Sequence, residues 1–401
     1  MNPFGYIKQN GIIHAIDIIY QYKLDKFLQI MMTPFYSKKP VKNIIMIESH
    51  NDFDCNGGAF YNYLIEHKFN NKYKIVWLLK HPESTPDKLP SNVECYPLYR
   101  PSIKKNYYIW SAKYFLADNT VTSTKKKEQI SIYLTHGVGS LKSVRGKMHM
   151  DDTLNYILTA SKNYAPIMAR QVGEKYPSSR MISIGFPVHD LMYKKDWHEI
   201  DKITSEKYSK ILLWMPTFRK GGGYKRVDSL LEMELGIPLL HSTNEYNKLN
   251  EYLSKRNALL VIKIHPMQDM DSVKINDLSN IKVLTGKTVK EKQIDNYRLV
   301  TDVDALISDY SSIATEYLHI DRPISYVFED ENQFTSGFCV DNVEDLLAGP
   351  KLMSKADLYK FIDDVIDDID DYAEKRKKMR EWMFDFIDDQ SCRRLAEFME
   401  L

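Results

Sequence analysis

The stretch VKNIIMIESHNDFDCNGGAFYNYLIEHKFNNKYKIVWLL, residues 41–79, decides the fold class. Val41 to Ile47 and Lys74 to Leu79 are short apolar runs that read as buried strands. Gly58 to His67, between them, reads as a helix. Strand, helix and strand, with both strands apolar on both faces, imply a parallel sheet covered by helices. The pattern continues with a short run near Val93, a helix over 102–110, and strands at Tyr114–Ala117, Ile132–Thr135, Tyr156–Leu158 and Met181–Ile184. It breaks at about 192–209, where YKKDWHEIDKITSEKYSK is polar and charged, then restarts. Strands are predicted at Ile211–Met215, Leu259–Ile264, Ile281–Leu284, Ala305–Ile307 and Ile324–Phe328, and helices at 245–256, 293–299 and 312–319. The reading is α/β: two Rossmann-type domains with parallel sheets facing a central cleft. They span 41–192 and 210–352, joined by a connector at 193–209, with helical extensions at 1–40 and 353–401. There is no internal sequence repeat.

The chain has 401 residues, 43% hydrophobic and 27% charged, which excludes a mostly disordered protein. A formal net charge of +1 argues against a general nucleic-acid binder. The cysteines, at 55, 95, 339 and 392, form no zinc spacing and fit reduced thiols in a cytoplasmic protein. No apolar run reaches the ~18 residues of a spanning helix. Lys8, Asp17, Lys23, Asp25 and Lys26 interrupt the N-terminal apolar stretch, and no small-residue cleavage site follows, so it does not read as a signal peptide. Membrane contact is therefore expected to be peripheral. Ile12, Ile13, Ile16, Ile19, Tyr20, Leu24, Phe27, Leu28 and Met31 recur at helical spacing among lysines. Such a helix fits a lipid interface or packing on its own protein. The aspartate-rich run from Asp363 to Asp371 reads as a solvated helix face.

Ligands of open parallel sheets bind at the carboxyl ends of the strands. Polar residues directly after an apolar run are therefore site candidates. His136 follows the run ISIYLT and is itself followed by Gly137, which allows close backbone approach. A histidine there can act as a general base, and Lys142 and Arg145 can meet phosphate. Lys263 and His265 close the run LLVIKI and can both donate to a phosphate. Arg219, after ILLWM, is a candidate bidentate phosphate clamp. Asp309, Ser311 and Ser312 lie after the run ALI at a predicted helix start, where free N–H groups favour an anion, although one serine can also serve as a simple cap. Glu316, one turn on, can accept hydrogen bonds from ribose hydroxyls.

Other signals fail. No GxGxxG follows the first strand, and Gly221-Gly222-Gly223 lacks the phosphate-loop spacing. The pairs Asp52/Asp54 and Asp302/Asp304 match the DxD of metal-dependent glycosyltransferases, but chance matches are expected in so Asp-rich a chain. No metal or cofactor is called for.

Five motifs stand in order: HG…LK at 136–142, GFP…D at 185–190, MPTFR at 215–219, KIHP at 263–266 and SDYSS…E at 308–316. Together they resemble the CDP-glycerol glycerophosphotransferase family, the teichoic acid primases and polymerases. The segment ESHNDFDCNGGAFYNYL, 48–64, is similar to the family's first strand, loop and helix. The resemblance implies a GT-B-like fold and transfer of glycerol phosphate from CDP-glycerol to a hydroxyl of a lipid-linked acceptor, of the teichoic acid or the capsule type, releasing CMP. It implies His136 as the base for that hydroxyl and His265 as the contact to the donor pyrophosphate. It gives Arg219, Ser311 and Ser312 to phosphates and Glu316 to the ribose. It also implies a peripheral location at the inner face of the membrane. Two departures stand out. HGVGSLK is one residue longer than the family's HGTPLK, and GFPVHD carries Val188 and His189 where the family has Arg and Asn. Three alternatives remain on sequence grounds: CDP-ribitol as donor, a UDP-sugar glycosyltransferase or epimerase on the same scaffold, and a non-catalytic binding protein.

Overall fold

The computed structural model describes residues 11–119, 121–147, 150–194, 198–219 and 227–401. They form two compact units. The first takes the described residues of Met1–Val138, Arg145–Leu191 and Phe384–Leu401, and the second those of Gly139–Val144 and Met192–Met383.

The first unit runs α1 (Ile12–Tyr36), β1 (Lys42–Glu48), α2 (Cys55–Glu66), β2 (Lys74–Leu79), β3 (Val93–Pro97), α3 (Ile103–Ser111), β4 (Ala112–Ala117), β5 (Ile130–Tyr133), β6 (Tyr156–Leu158), α4 (Ala165–Val172) and β7 (Met181–Ile182). Its seven strands lie in the order β3-β2-β1-β4-β5-β6-β7. Every pair is parallel; Ile45, for instance, sits beside Ile75 on one side and Tyr114 on the other. Ile44, Met46, Val76, Leu78 and Phe115 pack against Tyr108 and Ile109 of α3. Ser102 caps α3 by accepting the N–H of Lys105. Helix α4 was not expected, because eight residues with a proline near the start are too short to show a period.

The second unit contains β8 (Lys210–Trp214), α5 (Thr243–Lys255), β9 (Ala258–Lys263), β10 (Ile281–Leu284), α6 (Gly286–Glu291), α7 (Asn296–Leu299), β11 (Ala305–Ser308), α8 (Ser312–Glu316), β12 (Ile324–Val327), β13 (Lys351–Leu352), α9 (Lys355–Ile366) and α10 (Ala373–Met383). Its six strands are ordered β10-β9-β8-β11-β12-β13 and again are parallel throughout. All of β9, β11 and β12 is buried, which is why those runs are apolar apart from Lys263, Ser308 and Ser325. Both sheets thus follow the doubly wound order, with the switch point between β1 and β4 in one and between β8 and β11 in the other.

The charged C-terminal stretch divides. Helices α9 and α10 stay with the second unit, while α11 (Ser391–Phe398) belongs to the first. Asp190 of the GFPVHD loop accepts the N–H groups of Ser391 and Cys392 at the head of α11, at 2.9 and 2.8 Å. The described part of the polar stretch 193–209 is held inside the second unit, where Glu199 is 3% exposed and pairs with Lys202 at 2.8 Å.

Helix α1 packs one side against α3. Asp25 and Lys105, both buried, pair at 3.0 Å. The rings of Tyr22 and Tyr36 meet Tyr99 and Tyr107 edge-on. The other side is apolar and bare: Ile13 is 82% exposed, Ile30 70% and Phe35 66%.

Candidate active site

At the carboxyl edge of the first sheet, β1 ends in Glu48-Ser49-His50, β2 is followed by Lys80, β4 by Asp118, and β5 by Leu134-Thr135-His136. Lys80 pairs with buried Glu48 at 2.6 Å and donates to the carbonyls of Ser49 and His50, each at 3.0 Å. Asp118 is fully buried and accepts the N–H of Gly57 at 3.0 Å. Burial, with the charges of Glu48 and Asp54 behind it, pushes its carboxyl well above the usual carboxylate range.

His136 is exposed, and its Nδ1 lies 3.3 Å from the backbone carbonyl of Asp118. A carbonyl can only accept, so Nδ1 carries the hydrogen and the neutral ring keeps its lone pair on Nε2. That is the tautomer of a base. The ring of His50 lies flat against it, at 4.7 Å between centroids and 9° between planes. Burial, His136 and Lys80 together lower His50 to about 4. Near neutral pH His50 is uncharged, so a proton taken by the pair resides on His136.

In the second unit, Pro216-Thr217-Phe218-Arg219 follows β8, Ile264-His265-Pro266 follows β9, and Asp309-Tyr310-Ser311 joins β11 to α8. His265 accepts the N–H of Met267 at Nδ1, at 3.1 Å, so its neutral ring carries hydrogen on Nε2. That is the tautomer of a donor, the reverse of His136. Lys263 is 5% exposed, and its ammonium has no carboxylate or hydrogen-bond partner among the described residues. Burial lowers it to about 8. The hydroxyls of Ser311 and Ser312 are half-buried and make no hydrogen bond with the described residues; Ser311 stands at the cap position of α8 without capping it. Glu316 ends α8 with 2% of its surface exposed.

Three expectations change. Arg219 does not face a ligand. It is 1% exposed, donates to Asp330 at 2.7 and 3.1 Å, to Asp309 at 2.5 Å and to the carbonyl of Thr217 at 2.8 Å, and lies 5.1 Å from the ring of Tyr310. Asp309 is likewise consumed, accepting from the N–H of Thr217 at 2.8 Å as well as from Arg219. Both brace the loop after β8, because two carboxylates at that depth require a cation. Lys142 is separated from His136 and Arg145 by unit: Gly139–Val144 belongs to the second, whereas both the others belong to the first. Leu141 and Ser143 exchange backbone hydrogen bonds with Cys339 and Gly337, which places the ammonium of Lys142 5.3 Å from the ring of Phe218 and 4.0 Å from Asp228. The ring of His265 lies 5.0 Å from the same phenylalanine. The HGVGSLK loop is therefore the one that crosses into the second unit.

The GFPVHD departure also has a structural reading. Val188 and His189 are 2% and 1% exposed, and His189 lies against Phe186 and Phe384 and is lowered to about 3 by burial. Residues at those positions pack inward. The DxD aspartates serve the backbone: Asp52 accepts N–H groups of Lys80 and His81, and Asp302 and Asp304 accept those of Ile200 and Ile211. Sequence reasoning missed Asn56, His50, Lys80, Asp118 and Phe218. The polar tails ESHND after β1 and D-N after β4 were the available signal, since both sit at the switch point.

Known proteins place this geometry. Residues 30–401 match the family described as CDP-glycerol:poly(glycerophosphate) glycerophosphotransferase. A teichoic acid poly(glycerol phosphate) polymerase of Bacillus spizizenii W23 is 26% identical, over 72% of this chain and 74% of its own. The teichoic acid glycerol-phosphate primase of Bacillus subtilis 168 is 24% identical, over 73% and 75%. A solved structure of the wall teichoic acid polymerase TagF superposes with a TM-score of 0.72, covering 99% of this chain and 97% of that one at 18% identity, which shows a shared fold. The chain therefore belongs to the CDP-glycerol:poly(glycerophosphate) glycerophosphotransferase family and is an enzyme that transfers glycerol phosphate from CDP-glycerol.

Proposed function

We propose that the acceptor is a hydroxyl of a lipid-linked polyol phosphate of the teichoic acid kind, and that the protein works while resting on the inner face of the cell membrane. The observation that carries the chemistry is the pair of histidines fixed in opposite tautomers. His136 takes the proton of the acceptor hydroxyl at Nε2. That oxygen bonds to the phosphorus bearing glycerol, and the bond from this phosphorus to CMP breaks. His265 meets the charge growing on the leaving CMP through Nε2–H, with Lys263 as the counter-cation and Ser311, Ser312 and Gly137 as backbone or hydroxyl contacts. Lys142 stands beside His265 on Phe218, and Glu316 takes the ribose. Arg219 and Asp309 act only by holding the loop after β8. In-line phosphoryl transfer needs little beyond positioning and charge stabilisation.

A buried ammonium without a counter-charge is costly until a phosphate arrives. Lys263 titrates at about 8 in the protein against 10.5 unfolded, so its burial penalty is full below pH 8 and gone above 10.5. Lys263→Met therefore stabilises the ligand-free protein at pH 7, by roughly 3 kcal/mol. The same change removes the stabilisation by CDP-glycerol, which in the unaltered protein is ~2.7 kcal/mol at about 100 times its dissociation constant. CDP-glycerol affinity should weaken as pH rises through 8, where the ammonium is lost. Thermal unfolding with CDP-glycerol, CDP-ribitol and a UDP-sugar measures all of this. A shift with the UDP-sugar alone, or one that Lys263→Met leaves intact, would falsify the donor site. CDP-ribitol is a real comparison, because a ribitol-phosphate polymerase of Staphylococcus aureus is 24% identical over 90% of this chain and 63% of its own.

The membrane part rests on α1. Its bare side carries Ile12, Ile13, Ile16, Ile19, Phe27, Ile30 and Phe35 with Lys23 and Lys26 beside them. Among the described residues no helix is long and apolar enough to cross a membrane. An apolar face with Lys23 set within it and Lys26 at its margin suits the headgroup boundary, where long stems let the ammoniums reach the phosphates. Co-sedimentation with phosphatidylglycerol vesicles is the check. Ile13→Asp with Ile30→Asp should reduce binding about 100-fold or more, since each isoleucine withdrawn costs ~1.5 kcal/mol or more. Binding unaffected by that pair would remove α1 from the membrane.

A further inference from the structure

We propose that Asn56 is a positioning residue for His136, holding the turn that presents it and thereby its base tautomer. The proposal rests on His136 being the base. Asn56 is the second residue of α2 and is 1% exposed. Its Nδ2 donates to the carbonyls of Leu134 and Thr135, at 3.1 and 2.9 Å, and its Oδ1 accepts the N–H of Val188 at 3.0 Å. Two acceptors on one end and a donor on the other leave a single orientation for the amide. One side chain thus joins the end of β5, the head of α2 and the GFPVHD loop, all within the first unit.

The turn it grips is strained. Thr135 has φ of +61°, a left-handed conformation that a β-branched residue rarely adopts. Without fixed partners for its carbonyls that turn would relax, and His136 is the next residue. The neighbour of Asn56 holds the other side of the same setting. Gly57 donates its N–H to the carboxyl of Asp118, and the backbone carbonyl of Asp118 is what Nδ1 of His136 faces. A Cβ on Gly57 would meet Ile47 Cγ2 at 3.1 Å and Asp118 Oδ2 at 3.3 Å, tighter than ordinary contact, so an added side chain would press on Asp118. Two successive residues of one helical turn therefore hold both the chain leading into His136 and the group that fixes its ring.

The tautomer makes the role measurable. Imidazole free in water favours hydrogen on Nε2, and the Asp118 carbonyl draws it to Nδ1 instead. When the turn slackens, the ring reverts and Nε2 ceases to be a base. A merely structural asparagine would change stability and leave the tautomer alone.

The test is histidine 15N NMR on the whole chain, with the His136 resonance assigned by its loss in His136→Ala. In the unaltered protein it should report Nδ1–H. In Asn56→Ala it should shift toward Nε2–H, with kcat lower by on the order of 100-fold and the CDP-glycerol dissociation constant unchanged. Asn56→Ser, which keeps one donor, should fall between, and it stands in if Asn56→Ala does not fold. Leu64→Ala, in the core face of the same helix, supplies a comparable loss of stability away from the turn; it should leave the tautomer as it was. A His136 signal that stays Nδ1–H in folded Asn56→Ala or Asn56→Ser overturns the proposal, as does an equal shift in Leu64→Ala. Full turnover in His136→Ala would instead sink the assignment of the base, and the NMR result would still decide whether Asn56 positions the ring.

Discussion

His136→Ala should lower kcat by about 10²- to 10⁴-fold, the usual worth of a positioned general base, while CDP-glycerol still binds. The separation follows from where the residues reside. His136 belongs to the first unit, and Lys263, His265, Ser311 and Ser312 to the second. Removing the base leaves the acceptor hydroxyl with no group to take its proton as the new phosphorus–oxygen bond forms. In the proposed mechanism the leaving of CMP is served by Nε2–H of His265, which this substitution does not touch. Single-turnover transfer to a soluble acceptor analogue, measured beside equilibrium donor binding, distinguishes the two losses. His265→Ala should cut turnover too, but with weaker donor binding. If His136→Ala lost donor affinity and kept its rate, the two histidines would have to exchange roles. His50 is a useful control: held to about 4, it stays neutral through the working range, so no step in the pH–rate profile should be removed with it.

Arg219→Met should destabilise the protein by about 3–5 kcal/mol, because it strands two buried carboxylates. Asp309 and Asp330 are both 0% exposed and both face the guanidinium. In the second unit such a loss lowers Tm by roughly 10 °C. Arg219→Lys should rescue little, since an ammonium cannot reproduce the forked contacts to two carboxylates. Adding Asp309→Asn and Asp330→Asn to Arg219→Met should recover part of the loss. Acid unfolding offers a second signature. Burial pushes Asp330 up, but Arg219 outweighs it and holds the carboxyl below 3.8. Its contribution is therefore complete above pH 3.8 and fades as pH falls through the lowered value. Arg219→Met should lack that part of the acid transition. A variant with unchanged Tm but lost CDP-glycerol binding would restore Arg219 as a direct phosphate contact.

The case of Arg219 shows where reading residues in order stops being informative. An arginine after a buried strand at a sheet edge has the same sequence context whether it faces a ligand or two aspartates. Asp309 and Asp330 are 90 and 111 positions away, and nothing local marks them as its partners. Lys142 makes the same point by a different route. Four residues of loop separate it from the strand-end motif, and backbone pairing with 337–339 draws it into the other unit. Asn56 was invisible for a third reason: an asparagine at a helix head is usually a cap, and only the distant carbonyls of Leu134 and Thr135 reveal a different task.

What the sequence determined by itself was the architecture and the strand ends at which the candidate residues stand. Apolar runs such as ALLVIK and ISYV must be covered on both faces, and that alone demands a parallel sheet with helices on either side. The same logic put His136, Lys263, His265, Ser311 and Ser312 at strand ends, where a doubly wound sheet exposes its ligand edge. Tertiary structure alone decided which of the polar residues at those edges remain available. Among the described residues, burial leaves Lys263 without a counter-charge and surrounds Arg219 with two. Single backbone groups, the carbonyl of Asp118 and the N–H of Met267, set the two histidines in opposite tautomers. The physical reason is one of range. Hydrophobic periodicity is a short-range property carried by neighbouring residues, whereas ion pairing, desolvation and hydrogen-bond direction depend on atoms that only the folded chain brings within 3 Å or so of each other.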